Sequence, residues 1–278
     1  MHLLKKIQEN LQSYSNQQKK VAVYILENYK LAAFLTTTEL SLKSHVSSAT
    51  INRFCISLDF KGYSDFQEAL QEVIQSELTS VERVKQTSLS TNTIDSVFLS
   101  EADQLEKVAK NISRSDYQKI LELLNKARRI VILGHQASEP VALYAAYSFG
   151  KIRNSVEYLS LSSLDILGRL QNLGPEDTAM VIGMPRYPKQ TVDLMKILSG
   201  KKVRIALITH SEFSPLIKDA DAALTLPISY HRFTDGLSPL ICLINAFALD
   251  LYNENKNEAD KCLGFFESLS KVVFTDPK

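Results

Sequence analysis

The sequence predicts two fold classes in series. The first is an all-α domain of helix-turn-helix form. The second is an α/β domain with a five-stranded parallel sheet flanked by helices. Three observations carry this. The first eighty residues show helical periodicity and helix-start signals but no strand run of any length. Within them, Thr36 to Gly62 places two short helical segments on either side of a tight polar turn. From Arg128 onward, short apolar runs alternate with helical patterns, the signature of a parallel sheet covered on both faces.

Ser15-Asn16-Gln17-Gln18 has capping-box form ahead of Val21, Ala22, Ile25 and Leu26, which marks the first long helix. Thr36 to Thr38 can cap a helix holding Leu40 and Leu42, expected over about Thr38 to His45. A second short helix opens at Ser47/Ser48 and runs to Leu58. Ser64-Asp65-Phe66-Gln67 repeats the capping-box form before Leu70, Val73 and Ile74. Thr87 to Thr93 is a Ser/Thr/Asn-rich break, the best linker candidate. Helical patterns resume at Ile94 to Asn111 and again from Ser115, with Gln118 three residues on. Five apolar runs follow as strands: Ile130 to Leu133, Val156 to Leu161, Thr178 to Met184, Val203 to Ile208 and Ala222 to Ile228. Helices fill the gaps, and a long apolar one spans about Leu237 to Glu254. The expected organisation is a helix-turn-helix domain over 1–78, a partly helical linker over 79–112, a ligand-binding α/β domain over 113–256 and a C-terminal helix and tail over 257–278.

The short helix after the turn is the strongest functional signal. Ile51, Phe54 and Leu58 would face the core, leaving Thr50, Asn52 and Arg53 to reach outward. Asn can read adenine and Arg guanine in the major groove. Ser47 and Ser48 at the helix start suit phosphate oxygens, because N–H groups point outward there. Lys43 and Lys61 can reach flanking phosphates, and Gly62 permits close backbone approach. Short helix pairs also occur in bundles that bind other proteins, and spacing alone leaves that alternative open.

Composition narrows the classes. The net charge is +1 over 278 residues, and residues 1–85 carry ten Lys/Arg against nine Asp/Glu. Any nucleic-acid binding must therefore come from a local patch. Cys55, Cys242 and Cys262 have neither metal nor redox spacing, which reads as reduced thiols. The start, MHLLKKIQENL, breaks its apolar pattern with Lys5, Lys6 and Glu9, and Leu240 to Leu251 is too short to span a bilayer. The expectation is a cytoplasmic protein with no membrane, metal or cofactor.

The string VSSATINRFCISLDFKGYSDFQEAL resembles the N-terminal domain of RpiR-type (MurR/RpiR) transcriptional regulators. Ser48, Ala49, Thr50, Ile51, Arg53, Phe54, Leu58, Phe60, Gly62 and Tyr63 match the family's pattern for the recognition helix and following turn. The resemblance adds Tyr63 to the DNA-contacting set. Asp59 departs, standing where the family often has Gly. The second half resembles a SIS (sugar isomerase) domain, which implies flavodoxin-like winding of the sheet. The matches are Leu173-Gly174-Pro175-Glu176-Asp177, Ser214-Pro215-Leu216 and Asp219-Ala220-Asp221.

In an open α/β sheet, ligands sit at the carboxyl ends of the strands where strand order reverses. Two loops qualify: Gly134-His135-Gln136-Ala137-Ser138, and Gly183 to Thr191. The SIS resemblance implies a phosphate loop reading Ser-x-Ser-Gly-x-Thr, of which only Thr191 survives, while Arg186 and Lys189 are new positive groups. The expected ligand contacts are Gly134, Gln136, Ala137, Ser138, Ser160, Ser162, Arg186, Tyr187, Lys189 and Thr191, around a small anionic, phosphorylated sugar-type effector. Ser160, Ser162 and Ser163, after the second strand, are either ligand contacts or a helix cap. His231 and Arg232 fall in a polar loop before the last long helix, either solvated or entering a pocket across a dimer interface. Glu139 and His135 lie near the first loop, but spacing places no acid–base pair. Three readings stay open: a ligand-responsive regulator that meets double-stranded operator DNA as a dimer or tetramer, a sugar-phosphate isomerase with a helical appendage, and a noncatalytic adaptor.

Overall fold

In the computed structural model, residues 2–86, 93–160, 162–212, 214–231 and 233–273 are described. The chain divides into two compact units, Met1–Gln86 and Thr87–Lys278. Of the linker candidate Thr87 to Thr93, residues 87–92 lie outside the described residues and Thr93 opens a helix.

The first unit holds α1 (His2–Glu9), α2 (Asn16–Ala32), α3 (Thr37–Ser44), α4 (Ser48–Ile56), α5 (Tyr63–Glu77) and α6 (Ser80–Gln86). The expected capping box at the start of α2 forms, Ser15 with Gln18, and the expected cap of α3 is Thr36, which makes a capping box with Glu39. Each satisfies two backbone donors that a helix start would leave bare. The expectation for α5 fails. That helix begins two residues earlier, at Tyr63, behind Gly62, which supplies no side-chain cap. Asp65 instead accepts the Lys61 N–H at 2.9 Å. The apolar stripes of these helices meet in a core containing Ile25, Leu40, Ile51, Phe54, Phe66 and Leu70. Phe54 stacks edge-on to Tyr14 at 5.2 Å and Phe66 at 6.0 Å, so α4 is pinned by its aromatic ring.

The second unit begins with α7 (Thr93–Asn111) and α8 (Arg114–Lys126). The cap of α8 is Ser113, not Ser115, with Asp116 as its partner. Five parallel strands follow: β1 (Ile130–Gly134), β2 (Val156–Tyr158), β3 (Thr178–Gly183), β4 (Arg204–Thr209) and β5 (Ala222–Thr225). Their order is β2-β1-β3-β4-β5, the flavodoxin-like winding. β2 and β5 stop three residues short of the apolar runs that announced them. Between the strands lie α9 (Glu139–Gly150), α10 (Ile166–Gln171) and α11 (Lys189–Gly200). α12 (Ser238–Glu254) and α13 (Lys256–Val273) close the unit. The polar loop after β5 contains a two-residue hairpin, β6 (Tyr230–His231) with β7 (Thr234–Asp235), which the sequence did not announce.

Strand side chains alternate between two cores. Ile130, Ile132, Met180, Ile182 and Ile208 pack with residues of α8, α9 and α12. Val131, Leu133, Val181, Ile205 and Leu207 pack with Leu194, Met195 and Leu198 of α11. The helix after β1 therefore covers one face and the helix after β3 the other. β1 and β3 are neighbours, bonded from Ile130↔Thr178 to Gly134↔Ile182. Their carboxyl ends flank the switch-point crevice.

Candidate nucleic-acid interface and ligand crevice

The turn between α3 and α4 is built by backbone geometry. His45 closes α3 in the left-handed conformation (φ 54°, ψ 44°), and the Ser41 hydroxyl holds the Val46 carbonyl. Ser47 caps α4, its oxygen accepting the Thr50 N–H at 3.3 Å. Ser47, Ser48, Ala49, Asn52 and Arg53 are exposed on α4, and Lys43 and Lys61 are exposed on the flanking segments. Gln17, Leu42, His45, Val46 and Ser47 line an open cleft where α2, α3 and α4 meet. Val46 sits in the turn itself, whereas Gln17, on α2, was missed by sequence reasoning because only helix packing brings it beside the turn.

Two expected DNA contacts are corrected. Thr50 borders the open cleft but exposes little of itself. It is buried, because residues 50, 54 and 58 form one row at i, i+4, i+8. Its hydroxyl meets Ser47 Oγ at 3.0 Å and accepts from Arg53 Nη2 at 3.3 Å, so it steadies the outward arginine. Tyr63 is also buried, and its hydroxyl lies 2.7 Å from the Leu35 carbonyl and 3.2 Å from that of Ala32. Burial pushes the Tyr63 phenol up to about 12. Asn52 is exposed, but its Oδ1 accepts the Tyr63 N–H at 3.1 Å, tying α4 to the start of α5. Gly62 is extended, and a Cβ there would touch only Asn52 Oδ1, at an ordinary 3.7 Å. Asp59 does take the left-handed conformation (φ 74°) that suits Gly better, and pairs with Lys6 at 2.9 Å. The Cys55 thiol is buried and pushed up to about 12 by burial, which leaves it unreactive.

In the second unit, the loops after β1 and β3 meet. His135 Nδ1 lies 2.7 Å from Thr191 Oγ1, so the surviving loop hydroxyl is already engaged. Burial holds His135 below the ordinary histidine value, against the pull of Glu139. Gly134 is required: a Cβ would stand 2.6 Å from the Ser138 carbonyl oxygen. Ser138 and Thr191 are buried, while Gln136, Ala137, Arg186 and Lys189 are exposed. Gln136 (φ 56°) and Arg186 (φ 61°), one in each loop, are both left-handed. Such backbones cost about 1–3 kcal/mol apiece and gather at ligand sites. Lys189 opens α11, where N–H groups and the helix dipole favour an anion.

Other expected contacts are committed elsewhere. Tyr187 puts its hydroxyl 2.7 Å from His210 Nδ1, beyond the end of β4, and burial lowers His210 to about 4. Ser160 Oγ accepts the Ser162 N–H at 3.2 Å, a turn contact; Ser160 is half-buried and Ser162 exposed. Glu139 accepts the Tyr158 hydroxyl at 2.7 Å, which occupies the one carboxylate near the first loop.

Comparison with known proteins adds the decisive observation. A model described as "Helix-turn-helix domain, rpiR family" matches residues 1–77, and one described as "SIS domain" matches residues 123–250. The first domain is thus of the RpiR helix-turn-helix type and the second of the SIS type. It is 28% identical over 244 residues to the HTH-type transcriptional regulator HexR of Escherichia coli, covering 87% of this chain and 82% of that one. The HexR of Pseudomonas aeruginosa is 25% identical over 230 residues, with 82% and 79% covered. In fold, the chain is similar to the Vibrio vulnificus NanR protein complexed with ManNAc-6P, at TM-score 0.62, 22% identity and coverage of 99% and 100%. This RpiR-type chain is a transcriptional regulator rather than an enzyme, as the two HexR relatives are by name. No described helix is long and apolar enough to cross a membrane.

Proposed function

We propose that this regulator acts in the cytoplasm as a homodimer or tetramer, binding operator DNA through α4 and sensing a small anionic, phosphorylated sugar in the crevice between β1 and β3. Arg53 and Asn52 would face base edges. Ser47, Ser48, Lys43 and Lys61 would meet phosphates. A symmetric pair of such helices fits a pseudo-palindromic operator.

The observation that carries the sensor reading is the pairing of His135 with Thr191, which ties the loop after β1 to the N-terminal turn of α11. Arg186 and Lys189 stand exposed on the 183–191 loop to meet an anion. The NanR neighbour with its ManNAc-6P supports the same ligand class here. The regulated genes would handle sugars or sugar derivatives.

A thermal-shift and calorimetric panel of hexose 6-phosphates, N-acetylhexosamine 6-phosphates and sugar acids tests this. At least one should stabilise the full chain, and Arg186→Ala should lose that response while still binding DNA. Indifference to every anion refutes the sensor reading.

A further inference from the structure

α7 is fastened to the same, carboxyl, edge of the sheet that holds the ligand loops. Glu101, in its middle, is largely buried. Its Oε1 accepts the Ser229 hydroxyl at 3.1 Å and also meets His231 Nε2 of the β6–β7 hairpin. One turn further on, Gln104 Nε2 donates to the Pro227 carbonyl at 2.8 Å. The hairpin closes tightly on the carboxylate. Gly236 N–H donates to Ser229 O at 2.8 Å, and a Cβ on Gly236 would collide with the Ser229 hydroxyl and with Glu101 Oε1. Burial opposes ionisation of Glu101, yet the surrounding hydroxyls and imidazole outweigh it and hold the carboxyl below its usual range. A buried charge that keeps its proton off in this way is held by specific partners, and removing one leaves the other unsatisfied.

The anchor connects to the ligand loop by an unbroken run of contacts. Gly183, which opens the 183–191 loop, gives its carbonyl to Thr209 Oγ1 at 2.7 Å. The Thr209 carbonyl accepts the Leu226 N–H at 2.7 Å, and Leu226 precedes the Pro227 bonded by Gln104. A Cβ on Gly183 would collide with the Leu216 side chain, so the strand end has little room to move by itself. α7 is also the first described helix after the DNA-reading unit in the sequence.

Resting on the regulator reading above, we propose that Glu101 is the latch that couples the ligand edge to the DNA-reading half: while it grips Ser229 and His231, α7 is held in register with the hairpin, and a change in the 183–191 loop passes through Thr209 and Leu226 to shift that grip. Glu101 acts through its partners and is a positioning residue.

The test uses the full chain in two arms. Hydrogen exchange across 93–111 is followed for wild type, Glu101→Ala and His231→Gln. Binding to the DNA immediately upstream of the protein's own gene is titrated in parallel. Glu101→Ala should speed exchange in α7 about tenfold while the β1 and β4 amides keep their protection. It should also change the half-saturating protein concentration on that DNA about fivefold or more. His231→Gln retains an N–H donor and should fall between wild type and Glu101→Ala in both arms; it also substitutes if Glu101→Ala fails to fold. Unchanged exchange in α7 overturns the latch. Faster exchange with unchanged DNA affinity overturns the coupling and leaves a structural clamp. Failure of the wild type to bind the DNA counts against the regulator reading instead, and the exchange arm still judges the latch.

Discussion

His135 and Thr191 join at 2.7 Å at the switch point, so the loops after β1 and β3 are tied to each other. Thr191 is buried, and its hydroxyl has no solvent to replace a lost partner. Thr191→Val should therefore cost about 1 kcal/mol of stability, from one unmade hydrogen bond, while keeping volume nearly constant. Denaturant unfolding measures this. The same variant should weaken sugar-phosphate binding, because His135 loses the contact that aims it; unchanged affinity would remove both residues from the site.

Arg53 and Tyr63 should separate reading from folding. Arg53→Ala removes an exposed side chain that donates to the Thr50 hydroxyl at 3.3 Å. It should weaken operator binding by about 1–3 kcal/mol with melting nearly unchanged. Tyr63→Phe should instead destabilise the helical unit by about 1 kcal/mol, through loss of the bond to Leu35, and leave DNA affinity of the folded fraction intact. Gel shift and calorimetric melting of both variants check the division; the reverse pattern would defeat it.

Acid should loosen the second unit before its carboxylates protonate. Burial lowers His210 from 6.5 to about 4, so the unfolded chain takes up the proton first. The neutral ring's contribution is full above about pH 6.5 and is lost as pH falls toward 4, up to about 3 kcal/mol. The lowered value of His135 acts with the same sign. Urea midpoints from pH 7 to 4 should fall for the wild type and flatten for His210→Gln. A wild-type midpoint constant over that range contradicts the assignment.

Gly134→Ala probes the backbone at the crevice. The added Cβ would press on the Ser138 carbonyl at 2.6 Å and its carbon at 2.9 Å, which are backbone atoms and cannot rotate away. The expected loss is about 1–3 kcal/mol, together with impaired anion binding. A fully stable variant would show that the loop relaxes readily.

Periodicity determined the larger features of this protein. Short-range chemistry fixes helix starts such as Ser15 and Thr36, because a cap and its partner lie three residues apart. Alternating apolar runs and helical patterns revealed the parallel sheet, since burial on both faces demands it. The long match around Ser48 to Tyr63 marked the reader helix. What tertiary structure alone decided is which polar atoms remain available. Thr50 and Tyr63 look like outward contacts until the helices pack and consume their hydroxyls. Thr191 and Tyr187 look like ligand groups until His135 and His210, 56 and 23 residues away, claim them. The Glu101 clamp spans 130 residues to His231. A hydrogen bond is set by distance in space, and spacing along the chain reports that distance only within a turn of helix or a strand.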